Sequence, residues 1–176
     1  LMGYKFEEIF PGCRIVDIHE YLLEKGAKLA GVTGVRYMYH DPCHSPMKQR
    51  DPMKTVKALL GERVLKSERC CGESGTLGVT RPDISTQVRF RKEEELRRGE
   101  ATRRASAAAA ERADVKILTS CPSCLQGLAR YQDDLKSGLL EADYIVVEMA
   151  RKILGEDWMP RYVAQANAGG IERVLV

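Results

Sequence analysis

The chain has 176 residues, 44% hydrophobic and 30% charged, with a net charge of +3, the make-up of an ordinary globular chain long enough to bury a core. No run approaches the roughly 20 apolar residues that span a bilayer and no secretory signal opens the chain, so neither a membrane span nor export is expected. The basic excess is local: residues 89–112 carry eight basic and five acidic side chains. That pattern reads as a solvated helical face, because a nucleic-acid surface would call for a broader basic field with interleaved aromatics.

In chain order, strands and helices alternate, which predicts an α/β layered fold with a largely parallel sheet flanked by helices. Arg14–Ile18 is a β-prone run leading into a helix over His19–Lys25 that Gly26 closes. Val35–Tyr39 predicts a second strand, stopped by Asp41 and Pro42. A short helix is expected near Met53–Leu60, ended by Gly61, and then a third strand at Arg63–Lys66. Asp83 opens a long polar helical region to about Arg98, which the alanine-rich Ala101–Arg112 continues or follows as a second helix. Its apolar face is thin (Ile84, Val88, Leu96), so it is expected on the surface, with Arg97–Arg112 leading away from any site. Val115–Thr119 is the fourth strand. Pro122 suits the first turn of the next helix, whose apolar positions Leu125, Leu128, Tyr131 and Leu135 keep helical spacing. Tyr144–Val147 leads into a helix through Leu154, and a last helix covers Trp158–Ala168. Ile15–Gly26 faintly echoes Ile145–Gly155 in strand-to-helix design. No linker divides the chain, so residues 1–176 are expected to form one domain; Leu1 is not an initiator methionine, so that domain is expected to be a piece of a longer polypeptide.

Six cysteines without an export signal point to a reducing, cytoplasmic setting where thiols stay free for metals or catalysis. Five of them are ordered: Cys43 within His40-Asp-Pro-Cys-His44, the adjacent Cys70-Cys71 followed by Gly72, and Cys121-Pro-Ser-Cys124. Soft thiolates gathered from separate segments are what iron–sulfur clusters and zinc select. The gap between Cys121 and Cys124 lets one turn aim both sulfurs at one centre. Adjacent side chains diverge, so Cys70 and Cys71 ligate together only where the chain is strongly bent or the cofactor has several metal atoms. That leans toward a cluster. Each group follows a predicted strand, and sites in parallel sheets collect beyond the carboxyl ends, so the cysteines should sit in loops at one sheet edge. Cys124 should lie in the first turn of a helix, where free N–H groups and the dipole favour thiolate. Gly72, Gly75 and Gly78 would let backbone N–H groups approach a sulfide or thiolate closely. Cys13 stands outside the pattern, and His19 is expected to be structural. A disulfide framework and a thiol–disulfide catalyst at Cys121–Cys124 both leave thiols without a role.

His40-Asp-Pro-Cys-His44, Cys70-Cys-Gly-Glu-Ser-Gly-Thr76 and Thr119-Ser-Cys-Pro-Ser-Cys124 resemble the cysteine-rich CCG domain. That family includes a cysteine-rich subunit of heterodisulfide reductase, the iron–sulfur subunit of glycolate oxidase and lactate-utilisation iron–sulfur proteins. The resemblance runs from about Val35 to Leu135. Tyr144–Val176 further resembles the carboxyl end of large FAD-linked oxidases of the D-lactate dehydrogenase type, where such a domain follows flavin and ferredoxin-like segments. The resemblance implies Cys43, Cys70, Cys71, Cys121 and Cys124 as ligands of an iron–sulfur cluster of the non-cubane 4Fe–4S kind, with zinc as the alternative. It implies His40, His44 and Gly72 as groups that hydrogen-bond around it. It further implies an electron-transfer module, itself non-catalytic, of a flavin-dependent oxidoreductase acting on D-lactate or glycolate, with FAD and the ferredoxin-like domain upstream and the electron acceptor unspecified. The alternative is a zinc-stabilised interaction domain that docks redox partners. Two departures stand out: 49 residues separate Cys71 from Cys121, more than is usual, and one CCG motif is present where many relatives have two.

Overall fold

The computed structural model describes residues 6–29, 35–73, 76–105, 114–134 and 141–170. Its strands are β1 Val35–His40, β2 Leu65–Ser67, β3 Asp114–Thr119 and β4 Glu141–Tyr144. The helices are α1 Phe6–Ile9, α2 Ile18–Glu24, α3 Pro52–Leu60, α4 Leu77–Thr80, α5 Pro82–Ala105, α6 Pro122–Asp134, α7 Ile145–Leu154 and α8 Trp158–Gln165. All strand pairs are parallel, in the order β2-β1-β3-β4, so the expected α/β fold with a parallel sheet flanked by helices holds. The register brings the strand ends level. His40 pairs with Ser67 on one side and Thr119 on the other, and Thr119 pairs with Tyr144. The chain steps from β1 out to β2 and then crosses back to β3, so its direction reverses between β1 and β3. Open parallel sheets leave a crevice at such a reversal.

Side chains alternate across the sheet and feed two cores. Tyr37, Tyr39 and Leu118 pack with Val56 and Leu59 of α3 and Met149 of α7, and Leu22 and Leu23 of α2 lie against them. Met38, Val115 and Ile117 pack on the other face with Leu96 of α5 and Leu128 and Tyr131 of α6. Leu135 lies outside the described residues.

Three expectations need correction. Arg14–Ile18 forms no strand: the Asp17 carboxylate accepts the His19 N–H at 2.9 Å and caps α2, whose first residue is Ile18. The echo between Ile15–Gly26 and Ile145–Gly155 therefore has no strand-to-helix design behind it, since residues 145–154 are helix and the strand is upstream, at Glu141–Tyr144. The third concerns α5, one continuous helix of 24 residues that lies at the surface but buries one polar stripe inward. Leu96 is 1% exposed, Lys92 is 0% exposed, and Ser85 and Glu100 are buried. A β-carbon at Gly99 would lie 2.4 Å from Cε of Met38. Residues 85, 92, 96 and 99 share one helical face, but only Leu96 is apolar, so the buried stripe is invisible to hydrophobic periodicity. Lys92 meets His40 at the end of β1 and Gly99 meets Met38 two residues earlier. Beyond Gly99 the described part of the helix, which ends at Ala105, therefore heads toward the amino edge of the sheet, away from the cysteines. Residues 106–113 lie outside the described residues.

Leu96→Ala should lower stability by about 2–5 kcal/mol, the usual cost of emptying a core site. Phe90→Ser, at an exposed position of the same helix, should change it by less than about 0.5 kcal/mol. Denaturant titration measures both, and equal small effects would show that the Leu96 stripe is not buried.

Candidate metal centre

Three loops leave the sheet at the same level. Cys43 follows the end of β1, Cys70 the end of β2 and Cys121 the end of β3. Cys43 Sγ lies 4.0 Å from Cys70 Sγ, and Cys71 Sγ lies 3.4 Å from Cys124 Sγ. Cys121 interacts with Cys124 by hydrogen bond and charge. The structure thus brings all five cysteines of the sequence pattern to one edge. Cys71 and Cys124 are buried, Cys70 and Cys121 half-buried and Cys43 exposed. Adjacent residues face different partners: Cys70 faces Cys43, whereas Cys71 faces Cys124.

Gly72 makes that divergence possible. Its φ is +76°, and a β-carbon would meet Val88 Cγ1 of α5 at 3.2 Å, so conformation and space both demand glycine. Its N–H donates to Cys70 Sγ at 3.4 Å, and its carbonyl accepts from Ser85 Oγ at 3.2 Å. On the other side the loop presses on α6. A β-carbon at Gly127 would lie 2.9 Å from Glu73 Cβ and 3.4 Å from the Cys71 carbonyl oxygen. Arg130 of α6 donates to both carboxylate oxygens of Glu73 at 2.7 Å. Gly75 lies outside the described residues, and Gly78 falls within α4.

The electrostatics follow from proximity. The Cys124 thiol donates to Cys71; burial opposes ionisation there, but His40 and the Glu73 N–H add support, and the Cys71 pKa falls to about 4. Its partner goes the other way: the bond to Cys71, burial and the nearby sulfur charges push Cys124 well above the ordinary thiol range. The pair holds one proton. Cys70 is raised by burial, against the pull of the Gly72 N–H.

His40 is buried at the end of β1. One of its ring nitrogens and the sulfurs of Cys71 and Cys124 lie within 4.8 Å of one another. Its Nε2 and the hydroxyl of Thr119, paired with it on β3, are buried without a hydrogen-bond partner. Soft donors in five copies beside unsatisfied polar atoms fit a thiophilic metal group. His44 is exposed. Cys13 is exposed ahead of α2, His19 is buried with Nδ1 2.7 Å from Asp17, and Asp41 accepts from the Tyr39 hydroxyl at 3.1 Å. A cavity of about 430 Å³, lined by Arg69, Cys70, Val88, Arg91 and Glu94, opens beside Cys70.

The sequence analysis missed Lys92, Glu95, Gly127 and the Glu73–Arg130 pair. Lys92 precedes Glu93, Glu94 and Glu95, and such a run reads as solvent-facing. Gly127 did carry a signal, since a glycine inside an otherwise apolar-periodic helix often marks close approach.

A family model described as a cysteine-rich domain (CCG) matches residues 37–129, more than half of the chain. A second, described as a domain of unknown function (DUF3400), matches residues 129–176. The chain is similar to one subunit of the dihydromethanophenazine:CoB–CoM heterodisulfide reductase of Methanosarcina mazei, 29% identical over 126 residues, which take in 66% of this chain and 27% of the relative. Its counterpart from Methanosarcina acetivorans is 30% identical over 118 residues, 62% of this chain and 26% of the relative. One subunit of the fumarate reductase (CoM/CoB) of Methanothermobacter marburgensis is 29% identical over 92 residues, 48% of this chain and 19% of the relative. The chain thus spans 27% or less of the length of these curated relatives. No solved structure matches it. With its three cysteine groups inside the matched segment, the chain belongs to the cysteine-rich CCG domain family.

Proposed function

We propose that residues 1–176 are one CCG-type domain of a longer chain, the iron–sulfur electron-transfer module of a flavin-dependent oxidoreductase acting on a 2-hydroxy acid such as D-lactate or glycolate. Cys43, Cys70, Cys71, Cys121 and Cys124 would hold the cluster, with His40, His44 and Gly72 around it. The observation that carries this reading is the division of adjacent Cys70 and Cys71 between two sulfur pairs. Ligands on one tetrahedral metal with bonds near 2.3 Å stand roughly 3.8 Å apart. The pairs at 4.0 and 3.4 Å each suit two ligands on one metal atom. Among the described residues, only His40, Cys71 and Cys124 place three donors mutually within 4.8 Å, leaving Cys43 and Cys70 outside. Two sets of thiols exceed a closed four-ligand zinc site and suit a cofactor with several irons, such as a non-cubane 4Fe–4S cluster.

When bound, such a cluster takes up and releases single electrons. The chain's own part is to hold and shield it. Gly72 aims an N–H at Cys70, the first turn of α6 presents N–H groups near Cys121 and Cys124, and burial keeps water from Cys71 and Cys124. Exposed Cys43 and the cavity at Cys70 leave one side open to a donor or acceptor. The reductase subunits among the relatives support a redox role, and the resemblance of the carboxyl end to FAD-linked oxidases supports the flavin context. The chain has no glycine-rich dinucleotide fingerprint, so FAD belongs to another domain, with a ferredoxin-like domain between. The setting is cytoplasmic. No helix among the described residues is long and apolar enough to cross a membrane.

A second reading, a zinc-stabilised module that docks redox partners, is favoured by the compact trio of His40, Cys71 and Cys124 with Cys121 as a fourth donor. Metal and sulfide analysis of anaerobically purified protein separates the two. Iron with inorganic sulfide and a brown chromophore bleached by reductant is the expected result. One tightly bound zinc that iron and sulfide cannot replace would overturn it. Cys70→Ser and Cys71→Ser should each abolish most cluster assembly, whereas the zinc trio would tolerate Cys70→Ser. Gly127→Val should cut metal content several-fold while helical circular dichroism is retained, because its side chain displaces Cys71 and Glu73.

A further inference from the structure

Lys92 is the most deeply buried charge next to the cysteines, and the electron-transfer proposal gives it no role. Its Nζ contacts four groups: the Arg69 carbonyl oxygen at 2.6 Å, Glu95 Oε2 at 2.9 Å, His40 Nδ1 at 3.1 Å and the Ser67 hydroxyl. Ser67 donates its own proton to Glu95 Oε2 at 3.1 Å, so toward Lys92 it can only accept. Glu95 also receives the backbone N–H groups of Glu68 and Arg69. Burial opposes the charge of half-buried Glu95, but Lys92 and these N–H groups hold its pKa below the ordinary range. Burial lowers the Lys92 pKa against the pull of Glu95, and the two stand as an ammonium–carboxylate pair at 2.9 Å. An ammonium has three protons and no lone pair, so among these four neighbours an N–H is shared, and none of the four can donate to it.

We propose that Lys92 is a positioning residue whose ammonium fixes His40 as the tautomer protonated on Nε2, making His40 an N–H donor to the cysteine sulfurs and barring it from binding a metal. The reasoning is one of hydrogen-bond polarity. Nδ1 faces a group that can only donate, so Nδ1 must accept. An imidazolium would set an N–H against that ammonium. A neutral imidazole carries a single N–H, which therefore sits on Nε2. Nε2 is buried with no hydrogen-bond partner, but a His40 ring nitrogen lies within 4.8 Å of the sulfurs of Cys71 and Cys124. A hydrogen bond with His40 is among the influences that lower the Cys71 pKa, so the Nε2 proton is directed toward Cys71. A histidine bound to metal has the opposite polarity: its second nitrogen carries the proton and donates to a carboxylate, carbonyl or water. Here the second nitrogen meets a cation. The centre is left with cysteine donors alone. Lys92 also interacts by charge with Cys71 and Cys70.

The tautomer does not depend on which metal group is bound; its effect on potential rests on the cluster proposal. Two-bond proton–nitrogen correlation on the 176-residue chain labelled with ¹⁵N-histidine reads it directly, with His40 assigned by its loss in His40→Gln. The expected spectrum has a low-field, unprotonated Nδ1 and a high-field, protonated Nε2. Ser67→Ala, which leaves the Lys92–His40 contact, should keep that pattern, and Lys92→Met should lose it. A wild-type His40 protonated on Nδ1, or a pattern unchanged in folded Lys92→Met, overturns the proposal. Zinc titration of the wild type supplies a test that needs no variant: the Nε2–H should persist, and its replacement by a metal-bound nitrogen overturns the proposal. In cluster-loaded protein, Lys92→Met should shift the midpoint potential negative, because a donor to sulfur is lost. If Nε2–H persists but no cluster assembles, the tautomer assignment stands and the electron-transfer proposal falls.

Discussion

Sulfurs crowded where water is scarce resist being charged together, and this fold is arranged around that resistance. Two unit charges 4 Å apart repel by about 4 kcal/mol at an effective dielectric near 20. Cys71 and Cys124, 3.4 Å apart, meet the cost by sharing one proton, and burial keeps Cys70 toward the thiol form. A thiophilic cation removes the conflict, since it binds thiolates and releases the proton. Folding elsewhere supplies stability that helps hold the thiols together. Two cores lie on opposite faces of the sheet, and each fully buried large side chain contributes about 1.5–3 kcal/mol.

Level strand ends are the second requirement. His40, Ser67, Thr119 and Tyr144 form one row across the sheet, so short loops suffice to bring the three cysteine groups together. The Cys70-Cys71 loop is then fixed from two sides. Gly72 lies against α5 and Gly127 lets α6 reach the Cys71 carbonyl. Glu73 and Arg130 add a two-pronged ion pair, modest in energy for a half-exposed arginine but specific in direction. Glycine is required at both contacts for different reasons, a left-handed turn at position 72 and sheer closeness at position 127.

Much of this was legible in the sequence. Val35–Tyr39 and Val115–Thr119 are runs of branched and aromatic residues, and both are strands. The cysteine spacing, joined to the rule that parallel strands end on one side, predicted a single edge. What escaped was polar burial. Helix α5 reads as a solvent-facing helix because its inward stripe is Ser85, Lys92, Leu96 and Gly99, and only tertiary contacts with Ser67, Arg69 and His40 reveal why a lysine belongs there. Arg14–Ile18 failed for a local reason: Asp17 captures the His19 N–H, and Ile18 is taken into the helix.

The two family models meet at residue 129, in the middle of α6, and the structure gives that boundary no physical meaning. Beyond it, β4 pairs with β3 over residues 141–144 and covers what would otherwise be an exposed edge beside the cysteines, the kind of edge that invites pairing with other chains. Ile145 and Met149 of α7 enter the core with Tyr37 and Tyr39 of β1. Glu148 accepts from the Tyr37 hydroxyl at 2.8 Å and pairs with Lys116 of β3 at 3.2 Å, so the second segment also satisfies polar groups buried by the first. Tyr144 ends β4 level with Thr119. Burial and the charges of Cys121, Asp143 and Cys124 raise its hydroxyl pKa. A chain cut at residue 129 would lose half of α6, one strand and the partner of a buried tyrosine and lysine. The cysteine-rich segment and the one that follows it therefore share one core, and the geometry of the metal centre depends on both.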